Sequence, residues 1–122
     1  MEKAKGLQRL INATKYSIKG FKSAIQYETA FRQELISLIV AYITVMLIDF
    51  TIYERILLLG SIGVVMIVEL INSAIECVVD RIGSERHELS GRAKDYGSAA
   101  VCLSLLLTVI LWIYLFSCHF FP

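Results

Sequence analysis

The stretch Ile56-Leu-Leu-Leu-Gly-Ser-Ile-Gly-Val-Val-Met-Ile-Val-Glu69-Leu-Ile-Asn72-Ser-Ala-Ile-Glu76-Cys-Val-Val-Asp80 begins as membrane, then takes in three carboxylates and an amide without losing its apolar character. At about 100° per helical residue, Glu69, Asn72, Glu76 and Asp80 fall within roughly 80° of one another on one face. A carboxylate in hydrocarbon costs at least ~2.5 kcal/mol on insertion scales, so it persists there with a partner or a task. The stripe therefore faces protein, metal or substrate rather than lipid, and the segment reads as a transmembrane helix with a polar seam.

Two further apolar blocks flank it. Leu35 to Ile48 is uncharged, and Tyr96 to Cys118 carries no charge at all. Only the last is long enough by itself to cross a hydrocarbon core of ~30 Å. The others must carry polar residues with them, and they do so at the same end of the membrane. Among 122 residues, 57% of them hydrophobic, this leaves one compact all-α membrane unit with crossings predicted over 29–48, 53–82 and 91–120. Seven of the twelve Lys/Arg lie between Lys3 and Arg32 and four between Arg81 and Lys94, with only Arg55 in the turn at 49–55. The positive-inside rule thus predicts a cytoplasmic N-terminus and 81–95 segment, with the C-terminus on the far side.

Ahead of the first crossing, over 1–27, Leu7, Leu10, Ile11, Thr14, Ile18, Phe21 and Ile25 recur at helical spacing. Lys5, Arg9, Asn12, Lys15, Tyr16, Lys19 and Ser23 take the other side. This predicts a basic amphipathic helix in the interface plane, drawn to anionic headgroups. The first 25 residues have no uninterrupted apolar run and no cleavage site, so no removable leader is expected. Gly83 is expected to end the second crossing in a left-handed conformation. Gly97, Ser98, Ala99 and Ala100 are small packing residues at the start of the third. Cys77, Cys102 and Cys118 show no metal or disulfide spacing.

The unusual ionisable residues, Glu28 and Glu34, Glu69 to Asp80, and His87 to Asp95, gather near one membrane face. Carboxylates grouped with Lys and Arg suit a magnesium–polyphosphate site, because Mg²⁺ takes hard oxygen ligands and leaves coordination positions for phosphate. Glu69, placed deeper, is positioned to accept a proton from a hydroxyl at the interface. His87-Glu88 lacks the second His of a zinc motif, and no phosphate-binding Gly-rich loop of the soluble kinase or P-loop type occurs. A net charge of +1 gives no reason to expect nucleic acid as a partner. By spacing alone, the chain is a small membrane protein with an interfacial, phosphate-directed polar site.

At these residues the chain resembles the bacterial diacylglycerol kinase family of small integral-membrane lipid kinases. The likeness runs through Glu28 and Ala30-Phe-Arg-Gln-Glu34, then Met66-Ile-Val-Glu69-Leu-Ile-Asn72-Ser-Ala-Ile-Glu76. It continues through Val79-Asp-Arg-Ile-Gly-Ser-Glu85, His87-Glu-Leu-Ser-Gly-Arg-Ala-Lys-Asp95 and Gly97-Ser-Ala-Ala100. The resemblance implies transfer of the ATP γ-phosphate, with magnesium, to diacylglycerol in the bacterial inner membrane, giving phosphatidate for phospholipid recycling. It implies Glu69 as general base and Glu28 and Glu76 as metal ligands. It places Arg9, Tyr16, Glu28, Glu76, Glu85, Arg86, His87, Lys94 and Asp95 around the nucleotide. For the lipid it implies Arg9, Ala30, Phe31, Arg32, Gln33, Glu34, Asp49, Arg55, Glu69, Asn72, Ser98 and Trp112. A homotrimer is likewise implied.

Two alternatives stay open at this point. An undecaprenol kinase of the same superfamily would use the same chemistry on an isoprenoid alcohol; Lys94-Asp-Tyr-Gly-Ser-Ala-Ala-Val leans towards diacylglycerol. A small proton-coupled transporter would use Glu69 as a carrier, but has little need for a Lys-Asp-bearing connection.

Overall fold

The computed structural model describes residues 5–83 and 85–122; residues 1–4 of the expected surface helix and Ser84 of the polar connection lie outside the described residues. Four helices follow one another: α1 (Leu7–Tyr27), α2 (Thr29–Leu47), α3 (Ile52–Ile82) and α4 (Glu88–Phe120). The last three are each long and apolar enough to cross a membrane, and no strand occurs among the described residues. The all-α membrane architecture is that read from the sequence. α3 lies between α2 and α4 and packs on both. Its 31 residues make a rod roughly 46 Å long, well beyond a hydrocarbon core of ~30 Å.

The corners are built from side chains that satisfy helix ends. Glu28 is at once the C-cap of α1 and the N-cap of α2, in extended backbone. Arg32 folds back over this elbow. Its Nη1 donates to the carbonyls of Ile25 (2.9 Å) and Gln26 (3.0 Å), and its Nη2 to Thr29 Oγ1 (3.1 Å). A guanidinium is suited to the orphan carbonyls of a helix C-terminus. Arg55 does the same for α2, with Nε donating to Val45 O (3.0 Å) and Nη2 to Ile48 O (3.1 Å). Thr51 and Glu54 close a capping box at the start of α3, each side chain meeting the other's backbone N–H.

Two helix ends differ from expectation. Gly83 has φ 166° and ψ 159°, an extended conformation open to any residue, so α3 stops without a left-handed cap. α4 begins at Glu88, inside the stretch expected to be connection. The reason is local: His87 Nδ1 accepts from Leu89 N–H (3.1 Å), and Glu88 pairs with Arg92 one turn on (3.1 Å). A cap and a first-turn acid outweigh Gly91 within the helix.

The tightest packing is at the Trp112 end. Val45, Phe50 and Leu58 are fully enclosed, with Trp112, Leu115 and Phe116 of α4 against them. Trp112 and Phe116 stack at 5.6 Å, and Phe50 meets Phe116 edge-on at 5.2 Å. Trp112 Nε1 donates to Leu58 O (3.2 Å) and Ser61 Oγ (3.1 Å), tying α4 to α3. Trp112→Phe keeps the aromatic bulk and removes that donor. It is expected to cost about 1 kcal/mol, read as a fall of a few degrees in the melting temperature in one detergent; an unchanged melting temperature would show that the indole N–H contributes nothing.

Away from its partners α3 presents a second seam. Leu57, Gly60, Val64, Ile67, Ile71, Ala74 and Val78 alternate by three and four residues, and all are exposed in the single chain. The apolar side of α1, including Leu7, Leu10, Phe21 and Ile25, is also left uncovered by the rest of the chain.

Candidate active site

The polar stripe of α3 turns inward between its neighbours. Glu69, Asn72 and Ser73 are buried (7%, 8% and 7% exposed), and Glu76 is half-buried one turn further on. Asn72 Nδ2 donates to Glu76 Oε1 (3.4 Å), so the amide supports the second carboxylate of the stripe. Spacings of three, four and seven residues put these groups on one helical face. α2 and α4 cover that face on either side.

Two other acidic side chains converge on it. Glu34 from α2 and Glu28 from the elbow both lie within Coulombic reach of Glu69, as does Glu76. Glu34 Oε2 and Asn72 Oδ1 are buried, with no hydrogen-bond donor to them among the described residues. Such groups are uncommon in a folded interior and mark places where a donor or cation belongs. Among the described residues no three acidic, His or Cys side chains converge tightly enough to cage a metal by themselves. The all-oxygen character of Glu28, Glu69, Glu76 and the Asn72 amide fits Mg²⁺, which characteristically uses one or two protein carboxylates and completes its shell with phosphate and water.

Three grooves open around this centre. Between α1 and α3, a cavity of about 440 Å³ is bordered by Glu28, Ser73 and Cys77. At the Asp80 end, a polar cavity of about 630 Å³ is lined by Asp80, Glu85, Arg86, His87 and Lys94, with Lys94 Nζ on Asp80 Oδ1 at 2.9 Å. Between α2 and α4, an apolar groove of about 530 Å³ runs from Glu34 through Val40, Ala41 and Thr108 to Trp112. These volumes lie within the usual range for small-molecule sites. An acidic centre thus has a polar cavity at one end and a greasy groove at the other.

The remaining candidates are dispersed. Ala30 and the fully buried Phe31 sit at the elbow near Glu28, with Gln33 exposed. Arg9 and Tyr16 are exposed on α1, and Tyr16 borders a separate shallow groove beside Lys15 and Lys19. Asp95 and Ser98 are exposed on α4. Asp49 and Arg55 lie at the opposite end of α3, Arg55 roughly 21 Å along the helix from Glu69. Arg32, Arg55 and Trp112 have their donors engaged within the chain. Two residues had no role in the sequence reading beyond their bulk. Ser73 is buried at the groove shared with Glu28, and Gly97 is buried where α4 meets Asn72. A serine in an apolar helix carries no distinguishing pattern; Gly97 stood out only as one small residue among four.

A family profile described as prokaryotic diacylglycerol kinase matches residues 15–116. The chain is 51% identical over 115 residues to the diacylglycerol kinase of Escherichia coli strain K12, covering 94% of each. It is 52% identical over 112 residues to that of Haemophilus influenzae, covering 92% of this chain and 95% of the relative. Against that of Pseudomonas aeruginosa it is 45% identical over 107 residues, covering 88% and 87%. Identity at this level across the helices that build the acidic centre leaves one conclusion: the chain belongs to the prokaryotic diacylglycerol kinase family, enzymes of the bacterial membrane.

Proposed function

We propose that the phosphoryl transfer to diacylglycerol that defines this family takes place here at the acidic centre of α3, with phosphatidate as product. The observation that carries the reading is the place of Glu69 along α3: a buried carboxylate between Val65, which lines the apolar groove, and Asp80, which lines the polar cavity. The substrate's acyl chains can stay in hydrocarbon while its hydroxyl reaches Glu69, and ATP enters from water.

In this reading Glu69 takes the proton of the lipid hydroxyl as its oxygen bonds to the γ-phosphorus. The bond from γ-phosphorus to the bridging oxygen breaks, and ADP leaves with the electron pair. Transfer of this kind depends mainly on in-line positioning and charge neutralisation. Glu28 and Glu76 would hold magnesium, steadied by Asn72; when bound, the ion neutralises charge on the transferring phosphates. Lys94 makes an exposed ion pair to Asp80, which is weak enough to exchange for a phosphate. Glu85, Arg86, His87 and Asp95 line or flank the nucleotide's approach, and Arg9 and Tyr16 join it from the surface helix. Glu34, Asn72 and Ser98 face the lipid's polar end, with Ala30, Phe31 and Gln33 shaping the elbow above it. Arg32, Asp49, Arg55 and Trp112 contribute by holding the walls of the cleft.

The charge distribution supports an inner-membrane orientation with the N-terminus and 81–95 in the cytoplasm. α1 then lies on that leaflet with its uncovered apolar side down and its basic side towards anionic headgroups. The exposed three-four seam of α3 supports a homotrimer, its small residues Gly60 and Ala74 letting equivalent helices approach closely. The test is a phosphorylation assay in mixed micelles with MgATP, offering diacylglycerol and undecaprenol side by side. Phosphatidate is expected as the main product; faster phosphorylation of undecaprenol would overturn the assignment in favour of the isoprenoid alcohol.

A further inference from the structure

Asn72 is an unusual group to find at the contact between two apolar helices. Its carboxamide is buried, its amino group has one long hydrogen bond to Glu76, and its oxygen has no donor among the described residues. Turned over, it would set that oxygen against the Glu76 carboxylate, which is repulsive; as it stands, the oxygen rests against the backbone of α4 at Gly97. A Cβ on residue 97 would collide with Asn72 Oδ1, and it would also come within 3.2 Å of Cγ and 3.8 Å of Cβ. Oδ1 would have to shift, and because the carboxamide is planar its Nδ2 would turn with it, away from Glu76. Gly60, Gly63 and Gly91 on the same two helices meet nothing within 4 Å, so this close approach is peculiar to Gly97.

We propose that Gly97 is a positioning residue for the phosphoryl transfer: lacking a side chain, it lets α4 close on α3 and holds the Asn72 carboxamide with its amino group on Glu76. The proposal rests on the reading of Glu76 as a metal ligand given above and adds the element that orients it. Groups one layer behind a metal ligand commonly alter affinity or activity by about 10–100-fold. A residue acting through such a group is expected at the lower end of that range.

The experiment compares wild-type protein with Gly97→Ala, Asn72→Ala, their double variant and Glu76→Gln, all purified in the same detergent. Mn²⁺ affinity is read by electron paramagnetic resonance with a non-hydrolysable ATP analogue, so that no turnover is needed, and melting temperature is followed alongside. Gly97→Ala is expected to weaken Mn²⁺ binding by about tenfold with its melting temperature close to wild type. In the Asn72→Ala background, where the collision is gone, adding Gly97→Ala is expected to change affinity less than about twofold. That comparison stands even where Gly97→Ala alone fails to fold. Full weakening by Gly97→Ala in the absence of the Asn72 side chain would overturn the proposal, as would wild-type affinity in Gly97→Ala. Glu76→Gln separates the two levels: unaltered affinity there defeats the metal assignment itself, whereas weakened Glu76→Gln beside unaltered Gly97→Ala defeats the positioning role alone.

Discussion

Glu69→Gln is expected to lower kcat by about 10²–10⁴-fold, the usual contribution of a positioned general base, while nucleotide affinity stays near wild type. The substitution is nearly isosteric and removes a charge from a buried neighbourhood that already holds Glu28, Glu34 and Glu76. Like charges this close oppose one another, so the melting temperature should hold or rise rather than fall. A dead enzyme that is at least as stable as the parent separates chemistry from folding. Retained turnover would remove Glu69 as the proton acceptor. Loss of turnover together with loss of stability would mean that the carboxylate is a structural support.

Glu76→Gln is expected to raise the magnesium concentration for half-maximal rate by at least about tenfold, with Glu28→Gln acting in the same direction. Glutamine retains an oxygen that can accept from Asn72 Nδ2, so the hydrogen bond within α3 survives and the change isolates the lost negative charge. Part of the rate should return at high magnesium, which distinguishes a ligand from a base. Unchanged titration curves in both variants would contradict their assignment. Lys94 provides a contrast: it faces the polar cavity, paired with Asp80 at the exposed end of the stripe, and its loss should weaken ATP rather than the metal.

The stripe was legible because three ionisable residues at helical spacing in hydrocarbon have few physical explanations. Crossing number and fold class followed from apolar run lengths, and the helices occupy those runs. What escaped was decided by contacts between distant segments. The resemblance implied a cleft role for Arg32 and Arg55 and gave no sign that each also reaches back round a corner to carbonyls six to ten positions earlier. No local pattern announces such an acceptor, because it exists only once the preceding helix has ended and turned. Gly83 misled through the general habit of glycine after a helix; here extended backbone sufficed. His87 drew attention as a nucleotide-facing residue and is also the cap that starts α4 early. Gly97 could not be separated from its small neighbours without knowing that Asn72 stood opposite.

The elbow at Glu28 has a mechanical consequence. One residue joins α1 to the three long apolar helices, and one guanidinium, Arg32, latches α1 to α2 with three donated contacts. In the proposed orientation, with α1 on the leaflet, a tilt of α1 would therefore displace the Glu28 carboxylate proposed as a metal ligand.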